Sequence, residues 1–251
     1  MAAEKTLAIV LRVVDFSESS CVVTLYTRDF GKIGALAKGG RRPKGPFEGA
    51  LDVLSVCRIV FLHKSSQALD LLTEAKLERR FRAGQQRLDR LYSAYYVAEL
   101  VGLLTTEHDT NSDLYDLADF TLGEIEHSED LSSLLLHFEL NALQLCGHLP
   151  ELESCVVCGR AVPEAGHVAF GLLAGGVVCE RCRSGQRKVV RISRETIKTM
   201  QRFVELDEAA WRSTGIPARV RGELRAIINQ YLAHHIGRIP RLRAYLNEII
   251  G

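Results

Sequence analysis

The chain has 251 residues, 47% hydrophobic and 25% charged, with a formal net charge of +1. That mix belongs to a folded globular protein and excludes a mainly disordered, collagenous or fibrous chain. No apolar run approaches the roughly 18 to 20 residues that would span a bilayer. The short run Leu7 to Leu11, broken by Arg12, lacks a cleavage site and reads as a strand rather than a signal peptide, so the protein is expected in the cytosol.

The first 80 residues read as strands. Leu7, Ile9, Leu11 and Val13 repeat every second residue, as do Val23 and Leu25. Further runs cover about Lys32 to Lys38, Val53 to Leu62 and Ala68 to Ala75. The breaks at Asp15 to Ser20, Asp29 to Gly31, Gly39 to Gly49 and His63 to Gln67 carry turn residues. Five strands joined by such turns predict a small closed barrel of OB type over residues 1–80. Beyond Phe81 the period lengthens to that of a helix. Leu88, Leu91, Tyr92 and Tyr95 make one stripe, a second helix starts near Ser112 or Asp113, and a third starts near Ser128 and stops at Gly147. Helical period returns from Ser193 to Leu206 and from about Val220 to Ile236, ended by Gly237 and Pro240. The expected architecture is therefore α+β and multidomain. The barrel is followed by an α-helical domain over 81–251, into which a Gly-rich, four-cysteine, zinc-ribbon-like element is inserted at about 150–190.

The near-zero net charge hides three blocks. Met1 to Arg90 holds 16 Lys+Arg against 10 Asp+Glu, and Arg160 to Gly251 holds 16 against 8. Between them, Leu91 to Gly159 has no Lys or Arg and 13 acids. Screening limits fields to about 10 Å, so these patches act locally whatever the total is.

Cys155-Val-Val-Cys158 and Cys179-Glu-Arg-Cys182 form a C-x2-C-x20-C-x2-C pattern. Two residues between cysteines let both thiolates of a turn reach one ion, and two such turns complete a tetrahedron. Gly159 stands where the first turn needs a positive φ. Zinc fits best, with an iron–sulfur cluster or an unfilled vestigial site as alternatives. Four thiolates leave no open position, so one Zn2+ at Cys155, Cys158, Cys179 and Cys182 would be structural. His127-Ser128-Glu129 imitates part of a zinc-deaminase pattern, but Ser154 replaces its proline and the second cysteine pair would have no purpose. Cys21, Cys57 and Cys146 lie in apolar company and are expected in the core.

Lys38-Gly-Gly-Arg-Arg-Pro-Lys44 puts four cations into seven residues. It is no nucleotide P-loop, but on a barrel rim it grips phosphates, with Tyr26, Phe30 and Phe47 available for base stacking or for ordinary packing. Nucleic-acid contact is assigned to Lys38, Arg41, Arg42 and Lys44, and, on charge and placement, to Arg28, Lys32, Arg79, Arg80 and Arg82. The arginine-rich end, including Arg219, Arg221 and Arg225 with Glu223 as its one acid, suits DNA or an acidic peptide, or else docks onto the acidic block. No catalytic constellation appears, and no enzymatic activity is expected.

In order and spacing, several segments resemble the RecO family of bacterial recombination mediators. They are Leu11 to Asp15 with Ser17-Glu18, Val23 to Thr27, Gly31-Lys32-Ile33, Ala37-Lys38-Gly39 with Arg41 to Lys44, and the cysteine pairs beginning at Cys155-x2-Cys158-Gly159. The resemblance implies an N-terminal OB barrel, a helical domain and, in many members, a zinc site. It implies binding of single- and double-stranded DNA and annealing of complementary strands. It also implies help, together with RecR, in loading RecA onto DNA coated by single-strand-binding protein. A separate expectation, from the charge of the C-terminal helix, is that Arg219, Arg221 and Arg225 receive the acidic C-terminal tail of that protein. A rival reading is a zinc-ribbon and OB-fold factor for RNA or transcription.

Overall fold

The computed structural model describes residues 3–42, 45–47, 49–63, 68–85, 87–205, 211–212 and 215–249. Five strands open the chain: β1 (Ala3–Asp15), β2 (Cys21–Thr27), β3 (Gly31–Ala37), β4 (Val56–Leu62) and β5 (Asp70–Arg79). They form a closed barrel in the order β1-β2-β3-β5-β4. Closure depends on the length of β1. Its first half, Ala3 to Ile9, pairs antiparallel with β4, and Ala8 to Asp15 pairs with β2. A bulge between Val10 and Arg12 lies in the β2 pairing, where extra twist helps one strand serve two neighbours. The other seam is the short parallel pairing of Ala35 to Ala37 with Asp70 to Leu72.

The alternating residues Ala8, Val10, Val23, Leu25, Ile33 and Ile59 fill the barrel, each fully buried. Cys21 and Cys57 lie among them, and burial pushes the Cys57 thiol up to about 12. Strand β4 starts later than the apolar run from Val53 suggests. Leu54 takes a left-handed φ of 72° and the Ser55 N–H closes a turn onto the Asp52 carbonyl at 3.0 Å.

The helices are α1 (Leu88–Leu104), α2 (Ser112–Ile125), α3 (Leu131–Leu145), α4 (Glu180–Arg183), α5 (Arg194–Phe203), α6 (Ala218–Ile236) and α7 (Arg243–Ile249). Asn111 caps α2 by accepting from the Leu114 N–H at 2.9 Å. The cap of α3 is Asp130, not Ser128: its carboxylate accepts from the Ser133 N–H at 3.0 Å and the Ser133 hydroxyl at 2.6 Å. Strands β6 (His167–Gly171), β7 (Gly176–Val178) and β8 (Val189–Ser193) make a three-stranded sheet in the order β7-β6-β8.

Compactness divides the chain into Met1–Leu134 with Leu242–Gly251, and Leu135–Arg241. The change of hydrophobic period near residue 80 marks the end of the strands, yet α1 and α2 belong to the barrel's unit. Buried Tyr26 of β2 meets Tyr115 of α2, ring centroids 6.3 Å apart, and polar side chains add to the tie. Arg28 forks onto Asp116 of α2, and Lys32 reaches the carbonyls of Gly102 and Thr105 at the end of α1. In the same unit the Arg243 guanidinium of α7 is buried over the Tyr96 ring of α1, 5.7 Å from its centroid. Among the described residues no helix is long and apolar enough to cross a membrane.

Candidate nucleic-acid interface and metal centre

Past the end of β3 the chain turns tightly. The Gly40 N–H donates to Ala37 O at 3.2 Å, and the Arg42 N–H to Gly39 O at 3.0 Å. A side chain at position 40 would meet Cys21 Sγ at 2.8 Å, so only glycine lets the loop lie this close to β2. The loop leans on the β1–β2 connection, where the Arg41 N–H donates to Ser19 O at 3.1 Å and Arg41 Nη1 to Ser17 O at 3.2 Å. This packing leaves Lys38, Arg41 and Arg42 exposed together. Arg41 meets Asp15 at 3.3 Å in an exposed pair, worth at most about 1 kcal/mol and replaceable by a phosphate. Lys38 and Arg42 form no ion pair with any described residue. Pro43 and Lys44 lie outside the described residues.

Beside this loop, in the β1–β2 connection, Phe16 is 67% exposed. Sequence reasoning passed over it, because a single aromatic in a Ser-rich break carries no periodicity. Of the two roles open to Tyr26, Phe30 and Phe47, all three take ordinary packing. Tyr26 is fully buried with its hydroxyl donating to Asn111 O at 3.1 Å, Phe47 is buried, and Phe30 packs edge-on against Phe61.

The remaining barrel cations divide by environment. The Arg28 guanidinium holds Asp116 through two 2.8 Å bonds, an arrangement that raises the arginine's pKa and lowers the carboxylate's. The half-buried Lys32 ammonium donates to Gly102 O at 2.8 Å and to Thr105 O, and burial lowers its pKa against the opposing pull of Glu107. Lys32 is thus a strut at the end of α1 rather than an outward cation. Arg79 is bound to the Asp119 carboxylate and, at 3.0 Å, to its carbonyl. Arg80 donates to Gly49 O at 2.7 Å and lies 3.3 Å from Asp52. Arg82 is exposed; its backbone N–H donates to Glu126 at 2.9 Å and its carbonyl accepts from the Gln85 N–H at 3.0 Å. Asp116, Asp119 and Glu126 all come from the block without cations. Two carboxylates of that block, Asp116 and Asp119, therefore answer arginines of their own compact unit.

The four cysteines of the second unit converge. Their sulfurs lie within 4.8 Å of one another, and Cys158 Sγ is 3.7 Å from Cys179 Sγ. A tetrahedron of about 2.3 Å metal–sulfur bonds puts its sulfurs about 3.8 Å apart, so the set fits one ion. Each pair sits in a tight turn. The Gly159 N–H donates to Cys155 O at 2.8 Å with Gly159 at φ +70°, and the Cys182 N–H donates to Cys179 O at 3.0 Å. Strand β7 delivers Cys179, and the single turn of α4 presents Cys182. Burial opposes ionisation of Cys155, but the N–H groups of Cys179, Val157 and Cys158 outweigh it and bring its thiol down to about 6. Hydrogen bonding with Cys179 and Cys158 instead pushes Cys182 up to about 12.

In the same unit the C-terminal arginines differ from one another. Arg225 Nη1 donates to Glu139 Oε2 at 2.9 Å, with the carboxylate fully buried. Arg219 remains 61% exposed, 3.6 Å from Glu195 and 3.7 Å from Glu223, while Arg221 is half-buried. The Glu223 carboxylate accepts from the Ser193 N–H and hydroxyl and from the Thr196 hydroxyl, fastening α6 to the start of α5.

Comparison with known proteins gives a consistent result along the whole chain. The family described as Recombination protein O N terminal matches residues 1–81, and Recombination protein O C terminal matches residues 85–244. The DNA repair protein RecO of Rhodopirellula baltica is 40% identical over 96% of this chain and 98% of its own length. Proteins of the same name from Anaeromyxobacter dehalogenans and Moorella thermoacetica are 34% and 31% identical, over 98% and 97% of this chain and 96% and 90% of theirs.

Proposed function

Since the chain belongs to the RecO family, we propose that it serves DNA repair as a recombination mediator that binds single- and double-stranded DNA and anneals complementary strands. The observation that carries this reading is the cluster of Lys38, Arg41 and Arg42 beside exposed Phe16 at one edge of the closed barrel. The strand order and the parallel β3–β5 seam support an OB-type barrel, a fold that binds oligonucleotides through its loops and sheet face. Cations neutralise phosphates without reading sequence, and an aromatic face stacks on any base. Holding two polyanions at one cationic edge reduces the repulsion that opposes annealing, and no covalent step is needed. The protein acts as a binding factor and not as an enzyme.

Cys155, Cys158, Cys179 and Cys182 would hold one zinc ion in a zinc-ribbon-like element. The 3.7 Å sulfur spacing supports this, and four thiolates would confine the ion to holding the knuckles together. In the cytoplasm, at the nucleoid, the protein would work with RecR to help load RecA onto strands coated by single-strand-binding protein. The acidic tail of that protein would dock at the arginine-rich α6, where Arg219 is the exposed contact.

The test is a salt-dependent annealing assay on complementary DNA, with and without single-strand-binding protein. Annealing that weakens steeply with salt and persists on coated strands is expected. Absence of annealing, together with preference for structured RNA, would replace this reading with that of an RNA-binding factor.

A further inference from the structure

One other group of ligating side chains comes together among the described residues. His63 follows β4, Asp70 opens β5 and His108 lies in the connection between α1 and α2, and ligand atoms from all three lie within 4.8 Å of one another. His63 Nδ1 is 3.1 Å from Asp70 Oδ1, and the two imidazole rings meet edge to face with centroids 5.0 Å apart. Metal bonds of about 2.0–2.1 Å set tetrahedral ligand atoms about 3.3 Å apart. The His63–Asp70 pair is already at that spacing. Both histidines are exposed, so their rings can close the remaining gap by rotation.

Three observations set this cluster apart from a chance surface grouping. The Asp70 side chain is only 3% exposed, and a buried carboxylate favours positive charge beside it. His108 is a non-glycine residue in the left-handed region, φ 59°, a conformation that persists only where its surroundings impose it. They do so here: the His108 N–H donates to Lys32 O at 2.9 Å, and a side chain at Gly31 would run into the Asp109 carbonyl, so the loop is pressed onto the start of β3. Finally, the histidines border a cavity of about 230 Å³ that also receives Glu4, Thr110 and the Phe30–Phe61 pair. It offers room for water and a further oxygen ligand at the open face of an ion.

We propose that His63, Asp70 and His108 form a second metal site, selective for a divalent first-row transition ion such as zinc. Two imidazoles with one carboxylate suit such ions better than magnesium or calcium, which take oxygen-rich shells. The ion ties the α1–α2 connection to the ends of β4 and β5. The proposal depends neither on DNA binding nor on the cysteine site.

The experiment is a cobalt titration of the metal-stripped full chain, followed by absorption spectroscopy. The wild type is expected to take two equivalents, one with intense sulfur-to-metal charge transfer and one with only the weaker bands of nitrogen and oxygen ligands. His108→Asn and His63→Asn, both at exposed positions, should each lose the second signature, with affinity for that equivalent falling at least about tenfold. Cys158→Ser should lose the sulfur signature and keep the other, which separates this site from the cysteine centre. His235→Asn, in the stacked His148–His235 pair, should retain both. A wild type that shows only the sulfur signature, or a second equivalent that survives in His108→Asn, overturns the proposal.

Discussion

Arg225 of α6 donates to the fully buried carboxylate of Glu139 on α3 at 2.9 Å, so of the roles open to it in the sequence it takes docking onto the acidic block, as an internal brace. Removing one partner of such a pair leaves a buried charge uncompensated and typically costs about 3–5 kcal/mol, whereas replacing both with apolar groups costs far less. Arg225→Met alone should therefore lower stability by about that much in denaturant unfolding, and Arg225→Met with Glu139→Leu should recover most of the loss. Arg219→Glu, at a side chain 61% exposed, should leave stability nearly unchanged while weakening binding of an acidic tail peptide in a titration.

Lys32→Met should leave the carbonyls of Gly102 and Thr105 without their donor, at about 1–3 kcal/mol each. A fall in thermal stability is expected with no change in the salt slope of DNA binding. A changed slope at unchanged stability would return Lys32 to the phosphate-binding set.

The triple change Lys38→Ala, Arg41→Ala and Arg42→Ala should have the opposite signature. At roughly 0.7 per phosphate contact on single strands, the slope of log K against log salt should become shallower by about 2, with melting temperature nearly unchanged. Phe16→Ala should cost about 1–3 kcal/mol of single-strand affinity with little effect on the slope, because stacking releases no counterions.

Mercurial modification of the cysteine thiols should release one zinc ion from Cys155, Cys158, Cys179 and Cys182. Cys158→Ser should expose the 150–190 segment to limited proteolysis while annealing through the barrel survives. Release of no metal on complete thiol modification would remove zinc from this centre.

His137 is expected to make the second unit acid-sensitive. Burial, with the nearby Arg212 charge adding to it, pushes its pKa down to about 4, against about 6.5 in an unfolded chain. The unfolded chain therefore takes up the proton first. The stabilising contribution is complete above pH 6.5 and is lost as pH falls toward 4, on the order of 3 kcal/mol in all. His137→Phe, which can keep the stack on Trp211 at 4.7 Å, should flatten that part of the stability–pH curve.

Local pattern and tertiary placement contributed different things here. In β2 the alternation of Val23 and Leu25 marks the face that fills the barrel, whereas in β1 the stripe Leu7, Ile9 and Leu11 lies opposite Ala8 and Val10, which fill it. The two-residue period was legible there and its phase was not, because β1 is buried on both faces near Ile9. The x2 spacing of Cys155–Cys158 and Cys179–Cys182 was legible because a knuckle is a local turn. Phe16 escaped notice because exposure is no property of one residue's neighbours in sequence. His63, Asp70 and His108 were invisible as a group because the first two flank the β4–β5 connection and the third comes from the α1–α2 connection, 38 positions beyond Asp70.

By itself, then, the order of residues determined the elements, the turns and the cysteine knuckles, all governed by interactions a few positions long. Which cations stay outward was decided only by the fold. Arg28 is paired 88 positions away with Asp116, and Lys32 is tied 73 positions away to Thr105. Charge pairing acts through distance in space, and only the closed barrel, with α1 and α2 in its own unit, brings those partners within a hydrogen bond and leaves Lys38, Arg41 and Arg42 facing water.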